Sequence, residues 1–152
     1  MDIVNILKQV DIFRGFSDEQ REKIVSIIHT ETFSAGTTIC KQGDSADKLY
    51  IISSGQVEIL TRDSQGEDTS VVYLGIGQTI GEMTLVDEGT RSATVVAVDD
   101  PTQLFSIEND ALVQLCEMNT GIGFYLMRNI AQDLSFKLRH NAQQPHSSTS
   151  EA

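Results

Sequence analysis

Gly81, Glu82 and Arg91 lie within one short run, GEMTLVDEGTRSA at 81–93, and together could hold an anion beside a hydroxyl-bearing group. Glycine lets backbone approach a ligand closely, and the next residues, Met83 and Thr84, can begin one turn of helix whose free N–H groups suit an anion. Arg91 adds a planar guanidinium fork that matches two phosphate oxygens, and Ser92 places a hydroxyl next to it. Glu82 is an acceptor suited to a sugar hydroxyl. Each residue also has a plainer reading. Arg91 alone would be a surface cation paired with Asp87 or Glu88, Glu82 a solvated turn carboxylate, and Ser92 a strand hydroxyl satisfied by backbone. Their spacing beside Gly81 favours ligand contact. Gly75, Gly77 and Gly81 imitate a glycine-rich dinucleotide loop, but no strand, turn and long helix with a later acid surround them, so Gly75 and Gly77 read as turn residues.

The flanking segments must position this run. Ile3, Ile6, Leu7 and Val10, then Ile24, Ile27 and Ile28, recur at helical spacing and predict two helices, and Ser17 with Gln20 forms a capping-box pattern that starts the second near Asp18. Between 32 and 107, short runs rich in Ile, Val, Thr and Tyr are separated by glycines, predicting the closely spaced strands of a sandwich or barrel. Leu49, Ile51 and Ser53 alternate with Tyr50, Ile52 and Ser54, and Val57, Ile59 and Thr61 with Glu58, Leu60 and Arg62. This predicts a hairpin through 53–56, and a second is expected at 63–67. After Pro101 the helical period returns in Leu112, Leu115 and Cys116, then Ile122, Leu126, Ile130, Leu134 and Leu138, predicting a long amphipathic helix that ends before Gln143. Residues 1–142 form a single domain, and QQPHSSTSEA at 143–152 a disordered polar tail.

A chain of 152 residues is long enough for one domain with a real core. With 39% hydrophobic and 22% charged residues it has the composition of a soluble protein. Eleven basic against 22 acidic residues give a net charge of −11, which disfavours nucleic acid as a partner of this chain by itself. Screening over about 8 Å still leaves Arg91 dominant inside a pocket. Cys40 and Cys116 lie far apart among apolar neighbours and read as free thiols. The N-terminus carries no leader pattern and no apolar run approaches a membrane span, so a cytoplasmic protein is expected. His29 at a helix end, His140 at another and His146 in the tail offer no metal-ligand spacing. No nucleophile has a base near it in sequence, so a non-enzymatic protein without metal or cofactor is expected.

In this order the elements resemble the cyclic nucleotide-binding domain family, of the catabolite activator protein and kinase A regulatory subunit type. GEMTLVDEGTRSA resembles its phosphate-binding cassette. The similarity extends upstream through Gly36, Gln42, Gly43 and Asp44 in AGTTICKQGD and through Leu49, Tyr50, Ile51 and Gly55 in LYIISSGQVEIL, and onward into the closing helix. The resemblance implies a mainly β fold with flanking helices: an eight-stranded jelly roll, or double-stranded β-helix, with N-terminal helices and a long C-terminal helix. It implies that Glu82 accepts from the ribose 2′-hydroxyl and that Arg91, the N–H groups of Met83 and Thr84, and Ser92 hold the cyclic phosphate. Ile59, Val71 and Leu74 would line the apolar pocket. Thr84 departs from the family's frequent alanine or glycine, and Met83 from its frequent leucine. Ser92 is compatible with either base, with cAMP favoured over cGMP as the ligand; a cyclic dinucleotide is a further candidate.

The implied function is a regulatory module in which the ligand bridges Arg91 to Glu82 and the closing helix swings over the base, bringing Leu138, Arg139 or Asn141 close to it. Family members often carry a helix-turn-helix or another domain after that helix. Here a polar tail follows, so the expected listener is a separate effector protein, with homodimerisation through the helix as one route. Two other classes stand beside this one. A jelly-roll interaction module that binds no nucleotide would leave a buried Arg91 in need of another partner. A cupin-type enzyme, with or without metal, would need inner-strand histidines, and none lies between Thr30 and Arg139.

Overall fold

The computed structural model describes residues 2–87 and 89–143, with side chains as far as His140. Its organisation follows from strands covered on both faces. Lys48–Ser54 (β3) buries Leu49 and Ile51 on one side and Tyr50 and Ile52 on the other. Period-2 alternation therefore feeds two separate cores from a single strand. Leu49 and Ile51 join Phe105 and Ile107 of Thr102–Glu108 (β8) in a core shared with the helices, while Tyr50 and Ile52 face Val57, Ile80 and Val95 inside the jelly roll.

β3 and β8 are the inner strands of a four-stranded antiparallel sheet completed by His29–Phe33 (β1) and Thr79–Ile80 (β6), in the order β1-β8-β3-β6. The second sheet has the order β2-β7-β4-β5, from Thr38–Cys40 (β2), Val57–Arg62 (β4), Asp68–Leu74 (β5) and Thr94–Ala97 (β7). The result is the eight-stranded, mainly β jelly roll with flanking helices that the resemblance implied. His29 opens β1 and does not end a helix.

The hairpin expected at 53–56 is instead a corner, because β3 and β4 belong to different sheets. Gly55 turns it with φ at +82°, and a Cβ there would press on Asp99 and Thr102, where β7 crosses to β8. The Thr102 hydroxyl accepts from the Asp99 N–H (3.1 Å) and donates to the Asp99 carbonyl (2.8 Å), and the Val98 N–H donates to the Gln56 carbonyl (2.9 Å). The two crossings brace each other. The turn at 63–67 does join a hairpin, β4 to β5, and the Asp63 carboxylate accepts from the N–H groups of Gln65 and Glu67.

Five α-helices flank the sheets: Ile3–Leu7 (α1), Asp18–Val25 (α2), Thr84–Asp87 (α3), Asn109–Met118 (α4) and Thr120–Gln143 (α5). The capping box of Ser17 and Gln20 is formed in full, and α2 begins at Asp18. The one long helix expected after Pro101 is two, because Asn119 breaks it and its Oδ1 accepts from the Ile122 N–H (3.2 Å). α5 includes Gln143, one residue beyond the expected limit. The remainder of the expected tail lies outside the described residues. Cys40 and Cys116 are free thiols, and burial pushes both up. Among the described residues, no helix is long and apolar enough to cross a membrane.

α5 buries Ile122, Leu126 and Ile130 in the helical core and is fastened by polar side chains. Asn129 is 4% exposed and its Nδ2 donates to the carbonyls of Ile12 and Arg14, each at 2.9 Å. Arg14 in turn reaches Gln132 Oε1 (2.8 Å) and Asp133 (3.4 Å). Asn129→Leu is expected to leave two loop carbonyls without their donor, at about 1–3 kcal/mol for each group left unsatisfied. A urea midpoint equal to that of the parent protein would show that this fastening adds nothing.

Candidate ligand-binding site

The run 81–93 closes one end of the jelly-roll interior. It leaves β6 at Gly81, where φ is +88°, winds through α3 and returns to β7. Backbone bonds fix the return: the Arg91 N–H donates to the Asp44 carbonyl (2.8 Å), the Gly43 N–H donates to the Arg91 carbonyl (2.9 Å), and Ser45 bridges Thr90. The Gly43–Asp44 turn thereby sets where the arginine emerges.

Arg91 is only 8% exposed. Its Nη2 donates to the Lys48 carbonyl (2.8 Å), and the guanidinium carbon lies 5.6 Å from the centre of the Tyr50 ring. Burial pushes the Tyr50 hydroxyl up to about 12, so the ring stays neutral beside that charge. Nη1 is buried and, among the described residues, has no hydrogen-bond partner. A Cβ at Gly81 would overlap Nη1, so the glycine is demanded by the passage of the arginine as well as by its own backbone. Among the described residues Arg91 forms no ion pair, Asp87 included; Glu88 lies outside them. A buried guanidinium without a counter-charge costs several kcal/mol, and an orphaned donor adds about 1–3 kcal/mol. Among the described side chains, such a wall carries an unbalanced positive charge.

Against it opens a cavity of about 500 Å³, within the roughly 300–1,000 Å³ usual for small-molecule sites. Gly81, Glu82, Met83, Thr84, Arg91 and Ser92 line it, with Ile59 of β4 and Leu74 of β5. Val71 does not. It is 59% exposed, and Val72 lines the cavity in its place. The register explains the exchange: Ile59 pairs with Val72 and Leu60 with Ser70, so Val71 is the extra residue of a bulge, and Val72 and Leu74 share the inner face. Glu82 Oε1 accepts from the Thr79 hydroxyl (3.1 Å), which steadies the carboxylate on the cavity wall.

Thr84 differs from expectation in its backbone. Its N–H is not free but donates to the Gly81 carbonyl (3.2 Å), and its hydroxyl donates to the same carbonyl (2.8 Å). From α5 the residue lining the cavity is Lys137. Leu138 and Arg139 are exposed and do not line it, and the Asn141 side chain lies outside the described residues. Lys137 also borders an adjoining cleft with Gln9, Asp11 and Phe136. At 3.6 residues per turn Lys137 falls on the same face of α5 as Leu126 and Ile130, seven positions after Ile130, and a charge on that apolar stripe, with a long stem to carry it past the apolar surface, was the one available signal. Thr79, Asp87 and Thr90 are further polar lining residues that motif reasoning passed over.

Residues 30–119 match the family profile described as the cyclic nucleotide-binding domain. The chain belongs to that family. The cyclic AMP receptor protein of Thermus thermophilus is 34% identical over 106 residues, covering 70% of this chain and 49% of that protein. The chain thus spans about half the length of that relative. In fold it is similar to the N-terminal domain of a transcriptional regulator from Streptomyces coelicolor A3(2), with a TM-score of 0.80 at 24% identity over 92% of this chain and 97% of that one. It is also similar to the regulatory domain of Toxoplasma gondii PKA in co-crystal with cAMP, with a TM-score of 0.69 at 25% identity over 74% and 42% of the two chains. A cyclic nucleotide-binding domain is a regulatory module, and the matched residues of this one include 81–93.

The shared seat of Gly81 and Arg91 can be measured against a control. Gly36 has a similar φ of +86°, but a Cβ there would meet nothing within 4 Å. Gly36→Ala should therefore report the left-handed backbone alone, about 1–2 kcal/mol. Gly81→Ala is expected to cost clearly more in a urea titration, and equal losses would mean that the cyclic nucleotide-binding domain does not use the glycine to seat its arginine.

Proposed function

We propose that this domain binds a cyclic purine nucleotide, cAMP in preference to cGMP, and passes its occupancy through α5 to an effector protein. The observation that carries the reading is Arg91, a buried cation whose Nη1 lacks a partner among the described residues, on the wall of a nucleotide-sized cavity. A cyclic phosphate would accept from Nη1 and from the Ser92 hydroxyl. The ribose 2′-hydroxyl would donate to Glu82, already steadied by Thr79. Ile59, Val72 and Leu74 offer apolar surface to the base. The names and ligands of the Thermus receptor and the Toxoplasma regulatory domain support cAMP.

Lys137 gives α5 a stake in the ligand. Its ammonium only donates, so it suits an acceptor atom of a purine, and a contact made in one helix position alone biases the helix toward it. About 1.4 kcal/mol of such preference shifts the equilibrium tenfold. Exposed Phe124, Phe136 and Leu138 on α5 provide surface that an effector, or a second copy of the domain, could read.

Isothermal titration calorimetry with cAMP and with cGMP tests the reading. Removing hydrogen bonds to a charged group is expected to cost about 1.5–3 kcal/mol, so Arg91→Lys should bind the preferred nucleotide at least about tenfold more weakly, and Glu82→Ala should also lose affinity. No heat from either nucleotide, or unchanged affinity in both variants, would overturn it.

A further inference from the structure

Behind the cavity, the cassette meets the start of α4 through two side chains. Asn109 Nδ2 donates to Thr84 Oγ1 at 3.2 Å. Thr84 is 7% exposed, and its single hydroxyl proton goes to the Gly81 carbonyl at 2.8 Å. That carbonyl therefore has two donors from one residue, because the Thr84 N–H also reaches it, at the longer distance of 3.2 Å. Asn109 is itself anchored, its N–H donating to the Asp47 carbonyl (2.9 Å), and its Oδ1 is buried without a partner among the described residues.

The hydroxyl proton goes to the Gly81 carbonyl, and the amide that meets the hydroxyl has two faces, Nδ2, which it presents, and Oδ1. The face presented decides where the proton goes. With Nδ2 presented to Oγ1, the hydroxyl oxygen is occupied as an acceptor and its proton is free for Gly81; with Oδ1 presented instead, the proton would be drawn toward Asn109. Only in the first arrangement does the Gly81 carbonyl keep a donor when the Thr84 N–H turns away from it.

We propose that Asn109 is a positioning residue for the nucleotide site. It directs the Thr84 hydroxyl onto the Gly81 carbonyl, so that the hydroxyl stands in for the Thr84 N–H when that N–H is surrendered to the ligand phosphate. This rests on the nucleotide-binding reading above, and it gives a use to the threonine that departs from the family's common alanine or glycine. It also ties the cassette to the helices, since Leu85, next to Thr84, shares a core with Leu112 of α4 and with Ile122 and Leu126 of α5. By reciprocity, whatever moves α4 alters the readiness of the cassette to give up its N–H.

The test compares cAMP and cGMP affinities of the intact chain with those of Thr84→Val, Thr84→Ser, Asn109→Asp and the double variant Thr84→Val with Asn109→Asp. Valine keeps the shape and removes the proton, serine keeps the proton, and aspartate keeps the shape but accepts only. Thr84→Val and Asn109→Asp are each expected to bind about tenfold more weakly, the double variant no worse than either alone, and Thr84→Ser about as well as the parent. Parent-like binding by Thr84→Val, or losses that add in the double variant, would overturn the proposal while leaving nucleotide binding intact. If Asn109→Asp does not fold, the contrast between valine and serine at Thr84 decides alone. A parent protein that binds neither nucleotide would defeat the ligand reading itself, and this inference with it.

Discussion

The charge of Arg91 sits in a wall where no described side chain of opposite sign meets it, and much of the surrounding structure serves to keep it there. A carbonyl from β3 takes one of its nitrogens, the Tyr50 ring flanks the guanidinium, and Gly81 yields the space that a side chain would fill. Its backbone is pinned on both sides, to Gly43 and to Asp44. An isolated buried cation is costly, and the two apolar cores on either side of β3 are what offset that cost. The site is stable because the sheet that carries it is covered on both faces.

That double covering also joins site and helices. Leu85 of α3 lies in the helical core while Thr84 and Asp87 line the cavity, so a four-residue helix has one face in each compartment. The run 81–93 therefore packs directly into the core that α4 and α5 share. The broken helix matters here too, because Asn119 lets α4 and α5 pack against each other: a Cβ on Gly123 would already crowd Cys116 at 3.1 Å.

Much of this was legible in the residues because the signals were local. The capping box at Ser17, the turn at 63–67 and the joint presence of Gly81, Glu82 and Arg91 each depend on neighbours a few positions apart. The failures share a different cause. Val71 and Val72 are chemically alike, and only the pairing of β5 with β4 shows which is the inserted residue of the bulge. A corner and a hairpin both read as two alternating runs around a glycine; the difference lies in Asp99 and Thr102, more than forty positions from Gly55, against which it packs. Lys137 escaped because the periodicity was counted over apolar positions alone, whereas this charged residue continues the face of Leu126 and Ile130 one step further toward the cavity. Thr84 was recognised for its backbone, but the partner of its hydroxyl, Asn109, comes from another helix.

The fastening of α5 at Asn129 has a mechanical meaning. Arg14 holds α5 again at Gln132 and Asp133, so Asp133 is the last of these polar anchors before Lys137. At about 1.5 Å per residue, Lys137 stands roughly 6 Å beyond that anchor, so a tilt of about 10° there would carry it roughly 1 Å. The place of the last anchor thus sets how far a small rotation at the core carries Lys137 at the mouth of the cavity.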